Sequence, residues 1–211
     1  MGNQTQGTGS GSGGDRGNGP APFFRTERLD VRPFTTADVE PLAAYRADPE
    51  VARYQTWSDY TRDQAAALVE SVQHLALGTP GSWHQLALED RALGALVGDL
   101  ACRVDEVEPR QLEVGFTIAA VHQRRGYAAE ALRGLLDHAF TSMGLHRVVA
   151  VTDARNDAAA ALLQRVGMRQ EGHLLENVFF KGEWGSELLF AVLAREHEAR
   201  ASVLPRERGR T

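Results

Sequence analysis

Cysteine is nearly absent from this chain and long apolar runs are missing, and each shortage narrows what the protein can be. Cys102 is the single cysteine, which excludes an internal disulfide and a cysteine-based zinc site. No apolar run approaches the ~18–20 residues needed to span a bilayer. The amino terminus lacks the basic and apolar regions of a signal peptide, so a cytoplasmic protein is expected. Charge of one sign is lacking too, because 23 basic and 28 acidic residues leave a net charge of -5. That balance gives no electrostatic footprint for general nucleic-acid binding and slightly favours a cationic or amine partner. The seven histidines show no His-Glu-x-x-His spacing, so no metal is expected. A Walker Gly-Lys-Ser/Thr and a Gly-x-Gly-x-x-Gly are both missing, which argues against a nucleotide triphosphatase and a Rossmann dehydrogenase.

What is present suits one soluble domain: 211 residues, 43% hydrophobic and 24% charged. Residues 1–22 are mostly Gly, Ser, Thr, Gln and Asn, and read as a flexible arm with nothing to bury. The folded domain is expected over 23–197, followed by a charged tail at 198–211.

The most informative stretch runs from Glu113 to Met143. Leu112, Val114, Phe116 and Ile118 alternate with Glu113, Gly115, Thr117 and Ala119, which predicts a strand with Glu113 on the face opposite the apolar row. Ala128, Ala131, Leu132, Leu135, Leu136, Ala139, Phe140 and Met143 recur at three- and four-residue steps, which predicts an amphipathic helix stopped by Gly144. Between them lies Gln123-Arg124-Arg125-Gly126-Tyr127-Ala128. At a helix start, unpaired N–H groups and the positive end of the dipole converge on one spot, and that spot suits a phosphate. Gly126 and Ala128 let the backbone come close, and two arginines add charge. Taken alone, the arginines fit a solvated turn equally well.

Other segments follow the same logic. A strand over 28–34 precedes a helix capped by Thr35 or Thr36 that ends near Asp48-Pro49, and a second helix is predicted from about Arg62 to Leu77. Strands are predicted at 83–89, 95–104, 111–119 and 147–152, a helix at 156–166, and two last strands flanking Lys181-Gly182-Glu183. The strand–helix–strand step implies a parallel pair around residues 112–152. Tyr54, Trp57 and Tyr60 break the periodicity between the first two long helices, and they read either as packing residues or as walls of a pocket.

Gln123-x-x-Gly126-x-Ala128 after Glu113-Val-Gly-Phe resembles the acyl-CoA pyrophosphate loop of the GNAT N-acetyltransferases. Together with the Thr-Glu-Arg-Leu-x-Val-Arg-Pro-Phe opening, it is most similar to their RimJ/RimL branch of ribosomal-protein N-terminal acetyltransferases. The resemblance covers roughly 25–195 and implies an α/β fold: a mixed, mostly antiparallel sheet of about seven strands, helices on both faces, and a splayed parallel pair at the acyl-CoA site. It further implies acetyl-CoA as cosubstrate and an amine acceptor, either a protein N-terminus or a small molecule such as an antibiotic or polyamine. By resemblance, Phe116, Thr117 and Ile118 pair with the pantetheine arm, and Arg124, Arg125, Gly126, Tyr127, Ala128 and Ala129 cradle the pyrophosphate. Gln123 opens that loop, Asn156 and Ala159 meet the arm from the far side, and Tyr54, Trp57 and Tyr60 wall the acceptor pocket. A backbone N–H near Phe116 or Thr117 would receive the oxyanion.

Glu113 is the candidate base, with an ion pair to Arg103 at the sheet surface as the other reading. Ala159 stands where relatives often carry a serine, and Asn156 to Gly167 holds no tyrosine, so by resemblance either the thiolate leaves assisted only by Asn156, as a catalytic residue, by a water or by the departing amine's proton, or the activity is weak. That departure keeps open an acyl-CoA-binding sensor without turnover. No histidine stands beside Cys102 in its own strand, which disfavours a ping-pong nucleophile. Val178, Phe179 and Phe180 suggest a homodimer through the last strands.

Overall fold

A computed structural model describes residues 20–73 and 75–203. Most of the predicted amino-terminal arm, and residues 204–211 of the predicted tail, lie outside the described residues. The chain runs β1 (Phe24–Arg25), β2 (Leu29–Pro33), α1 (Val39–Arg46), α2 (Pro49–Ala52), α3 (Arg62–Val72), β3 (Trp83–Asp90), β4 (Ala95–Val104), β5 (Gln111–Ile118), α4 (Tyr127–Thr141), β6 (Arg147–Asp153), α5 (Asp157–Arg165), β7 (Arg169–Phe180), β8 (Glu183–Leu193) and α6 (Ala194–Val203). The strands form one sheet in the order β1-β2-β3-β4-β5-β6-β8-β7. All neighbours are antiparallel except β5 and β6.

Eight strands stand where about seven were expected, because the two-residue β1 pairs with β2 ahead of the predicted first strand. The second long helix stops at Val72 rather than near Leu77. The last helix continues to Val203, past the predicted boundary at 197. It is held by an ion pair from Arg169 to Glu196, a hydrogen bond between His197 and Asp137, and an Arg200 hydrogen bond to the Gly167 carbonyl, each reaching outside the helix.

One core fills the sheet face beneath α4, where Leu132, Leu135 and Leu136 meet Leu29, Val31, Leu86, Leu88, Leu100 and Val114. The helix spacing read from the sequence is the spacing that buries them, and Gly144 ends the run at φ +66°. A smaller core on the other face joins Phe34, Leu42, Tyr45, Ala65 and Val69 of the first helices to Ala87, Leu96 and Ala119 of the sheet. The Lys181-Gly182 turn joins β7 to β8 with φ +50° and +88°, the left-handed pair that a two-residue hairpin requires.

Two features prepare the site. The β5–β6 ladder is short, running Gln111↔Arg147, Leu112↔Val148 and Glu113↔Val149. Beyond Glu113 the strands part, so the backbone groups of Val114–Ile118 on that side have no β6 partner. The second feature is a bulge in β4 between the pairs Leu88↔Gly98 and Glu89↔Leu96. A Cβ on Gly98 would come within 2.2 Å of the Thr117 carbonyl, so glycine is what lets β5 close against β4 at the end that opens away from β6.

Candidate active site

The parting of β5 and β6 creates a cleft of about 510 Å3. Phe116, Thr117 and Ile118 line one side. Gln123, Arg124, Gly126, Tyr127, Ala128 and Ala129 line its end, and Asn156, Ala159 and Leu162 face them from α5. Tyr54 closes the mouth from the segment after α2.

The loop has the conformation of an anion cradle. Arg124 sits at φ +60° and Gly126 at φ +84°, and Gly126 caps α4 so that the first free N–H groups of the helix lie at the cleft. Gln123 is not a free polar group: its Nε2 donates to the Ile118 carbonyl at 3.1 Å and ties the loop to the end of the strand. Arg125 is exposed and does not line the cleft, and its carbonyl accepts from Arg28 Nη1 at 3.0 Å. Tyr127 contributes backbone rather than ring, since its side chain is buried and its hydroxyl donates to Asp90 Oδ2 at 2.6 Å. That bond is the chief cause that raises the Tyr127 pKa and lowers that of Asp90.

On the far wall, Asn156 is the N-cap of α5, and its side-chain oxygen accepts from the Ala159 N–H at 3.1 Å. The amide NH2 is therefore the half available to a ligand. Ala159 is buried at the cleft wall and presents only a methyl group.

The three aromatics after α2 separate. Tyr54 reaches the cleft and donates to the Arg155 carbonyl at 3.3 Å. Trp57 and Tyr60 do not line it; they pack on the Arg46 guanidinium at 4.3 and 5.3 Å, and the Trp57 indole donates to the Arg46 carbonyl. Arg46 is in turn locked to the buried Asp99 at 2.8 Å, whose carboxylate also accepts from Tyr45. Burial first and the Asp99 charge second push the Tyr45 hydroxyl well above its ordinary value.

Glu113 is also placed differently from a free base. It lies outside the residues lining the cleft, with Arg103 Nη2 at 2.7 Å from its carboxylate and Trp83 stacked at 4.9 Å on the same guanidinium. The ion pair held open in the sequence is thus its contact here. Cys102 meets a histidine from the neighbouring strand, because β3 puts His84 directly across from it. The pairing makes no nucleophile: Cys102 is buried in the core and burial pushes its thiol up to about 12.

Several supporting residues were not singled out in the sequence: Thr26, Arg28, Asp90 and Glu130 beneath the loop, and Arg46 with Asp99 behind the aromatics. Signals existed for Glu130, an acid in the first turn of a helix, and for Thr26 and Arg28 as members of the Thr-Glu-Arg-Leu opening. Among the described residues no cluster of three or more His, Cys, Asp or Glu could hold a metal, and no helix is long and apolar enough to cross a membrane.

A cradle that a Cβ would disturb, an unpaired strand edge and a wall of small side chains fit a long ligand carrying phosphate at one end and an arm that can pair like a strand. The family model described as an acetyltransferase (GNAT) domain matches residues 28–169. The chain is 28% identical over 173 residues to the uncharacterized N-acetyltransferase p20 of Bacillus licheniformis, covering 82% of this chain and 96% of that protein. A GNAT-family acetyltransferase from Bacillus anthracis superposes with a TM-score of 0.73 at 25% identity, over 81% of this chain and 98% of the other. The spermidine N-acetyltransferase of Vibrio cholerae, solved with CoA and spermine, shares the fold with a TM-score of 0.70 at 22% identity, over 81% and 98% of the two chains. With a matching domain model across most of the folded chain and a cleft built in this way, the protein belongs to the GNAT acetyltransferase family and is an acetyl-transferring enzyme.

Proposed function

We propose that this enzyme moves the acetyl group of acetyl-CoA to a primary amine by direct attack within a ternary complex, and that an α-amine, as at a protein N-terminus, is its preferred acceptor. The observation that carries the reading is the cleft itself, with the phosphate-type loop at one end, the open β5 edge along its side and Asn156 opposite. In this reading the N–H groups of Gly126 to Ala129 and the Arg124 side chain hold the pyrophosphate. The free edge of Phe116–Ile118 aligns the arm, and the Asn156 NH2 binds it from α5. The thioester supplies an activated acyl group, and a β5 N–H near Phe116 or Thr117 stabilises the oxyanion.

The acceptor side supports an α-amine in two ways. An α-amine with pKa ~7.7–8.0 is about 10–20% neutral at pH 7, while a lysine-type amine at ~10.4 costs roughly 4.6 kcal/mol to neutralise. Little basic help is therefore needed, and Glu113, outside the cleft lining and paired with Arg103, is the carboxylate we propose to receive the proton through a chain of waters. Second, the polycation named as acceptor for spermidine acetyltransferases finds no aromatic box here, because Trp57 and Tyr60 are turned onto Arg46. A structure provisionally named as a ribosomal-protein-serine acetyltransferase, from Vibrio cholerae, has the same fold with a TM-score of 0.69 at 23% identity.

The test is thiol release from acetyl-CoA against a panel of peptides and small amines. Activity confined to small amines removes the N-terminal reading, and binding of acetyl-CoA without amine-dependent release would return the protein to a sensor. Glu113→Gln is expected to lower amine-dependent turnover about 10²–10⁴-fold while acetyl-CoA affinity stays unchanged. Unchanged turnover would leave Glu113 with its Arg103 contact alone. For assembly, we propose a homodimer through β7 and β8, where β7 is a sheet edge and Leu175, Phe179 and Trp184 are 73%, 62% and 62% exposed. Sedimentation as a 23.0 kDa species at micromolar concentration would overturn it.

A further inference from the structure

The turn between β1 and β2 reaches under the phosphate-type loop and holds it by a chain of ionic hydrogen bonds. Arg28 donates through its backbone N–H and its Nε to the two oxygens of Glu130, each at 2.7 Å, and the Thr26 hydroxyl donates to the same carboxylate at 2.5 Å. Glu130 belongs to the first turn of α4, so this chelate fixes the turn to the helix start. The helix comes close from below as well. At Gly134 a Cβ would stand 2.6 Å from Thr26 Cγ2 and 3.0 Å from Phe24 Cε2. The Arg28 guanidinium then lies over the Tyr127 ring at 4.4 Å, and its remaining Nη1 donates to the Arg125 carbonyl at 3.0 Å.

That last bond has a geometric consequence. A trans peptide is planar, and its C=O and N–H point in opposite directions. Holding the Arg125 carbonyl toward Arg28 aims the Gly126 N–H the other way, away from Arg28. Arg124 and Gly126 line the cleft while Arg125 does not, so the cleft is the side left for that N–H. The peptide needs such a restraint, because Gly126 at φ +84° has no Cβ to resist a flip of the unit before it. Glu130 balances the Arg28 charge, so the arginine contributes direction rather than net positive potential.

We propose that Arg28 is a positioning residue that locks the Arg125–Gly126 peptide so that its N–H faces the pyrophosphate of acetyl-CoA. The inference rests on the reading of residues 123–129 as the pyrophosphate cradle, and the experiment separates the two. Acetyl-CoA binding to the unaltered protein is measured first by calorimetry, and absence of binding there removes the cradle itself. Arg28→Met is then expected to weaken acetyl-CoA about tenfold, the scale of one ionic hydrogen bond misdirected. Its affinity for S-acetylpantetheine, which lacks the pyrophosphate, should stay unchanged when read by ligand-observed NMR. Arg28→Lys, which keeps one donor, should recover part of the loss. Because Arg28→Met alone leaves Glu130 uncompensated, the charge-balanced pair Arg28→Met/Glu130→Gln is the variant that should keep the parent's salt dependence of acetyl-CoA binding, whereas Arg124→Gln should make it shallower by removing a net charge at the cleft. Thr26→Val, which frees one bond to Glu130 without touching the guanidinium, carries the same test with a smaller loss should Arg28→Met not fold. Equal loss for both ligands, or no loss for acetyl-CoA, would overturn the proposal.

Discussion

Beneath α4 the sheet is covered by aliphatic side chains, with His84 and the Tyr127–Asp90 hydrogen bond among the few buried polar groups. The opposite face, under α1 and α3, holds two ion pairs with buried members: Arg32 with Asp38 at 2.8 Å and Arg46 with Asp99 at 2.8 Å. In the proposed reading the first face carries the cofactor cradle, built from backbone groups at a helix start and a strand edge. The second carries Trp57 and Tyr60, which Arg46 and Asp99 hold in place beside the cleft rather than in it. Aliphatic packing is non-directional and tolerates exchange of shape, whereas a buried ion holds its neighbours only in one geometry and is costly once its partner is gone. The comparison teaches why the cradle can be built from a short motif and the setting of those two aromatics cannot.

Breaking the ionic face should give the largest effect. Asp99→Asn strips Arg46 of its buried partner and weakens the platform under Trp57 and Tyr60, with an expected loss of about 3–5 kcal/mol in urea unfolding. A loss below ~1 kcal/mol would show that this face is not ionically organised. Next comes the cofactor cradle. Acetyl-CoA at about 100 times its dissociation constant should stabilise the parent by ~2.7 kcal/mol, read as a rise in melting temperature. Gly126→Val, at φ +84° and with Arg28 Nη2 3.4 Å from the new Cβ, should remain folded and lose that rise. Retention of the rise would mean that the loop is not the cradle.

The smallest effect is a pH slope in the core beneath α4. His84 is buried, and desolvation lowers its pKa below the ordinary value, while its Nε2 has no hydrogen-bond partner. The unfolded chain therefore binds the proton first. The stability contributed by neutral His84 is full above about pH 6.5 and declines as the pH falls through and below that value. His84→Leu should flatten this part of the profile and leave acetyl-CoA binding as it was. A slope unchanged by the substitution would assign it to other groups.

The two faces differ in the same way in how far they can be read from sequence. The strand at Gln111–Ile118 and the helix at Tyr127–Thr141 were legible because alternation and 3.6-residue spacing are local patterns that burial enforces. The fate of Trp57 and Tyr60 was not, since nothing near them in the chain names Arg46 as their partner in preference to the cleft. Asn156 shows a mixed case: its place at a helix start was readable, but its oxygen is spent on the cap, so only its NH2 can serve a ligand.

The sequence by itself determined the strand, loop and helix of residues 112–143 and the glycine stop at Gly144. Each depends on steric and solvation preferences that a residue exerts within a turn or two of its own position. Tertiary structure decided the partners that lie far apart in the chain, Arg28 with the Arg125 carbonyl across 97 residues and Arg46 with Asp99 across 53, and for Glu113 it chose the Arg103 ion pair that the sequence had left as one of two readings. Those partners are set by strand register, and register is fixed by the simultaneous burial of two whole sheet faces, which no local stretch encodes.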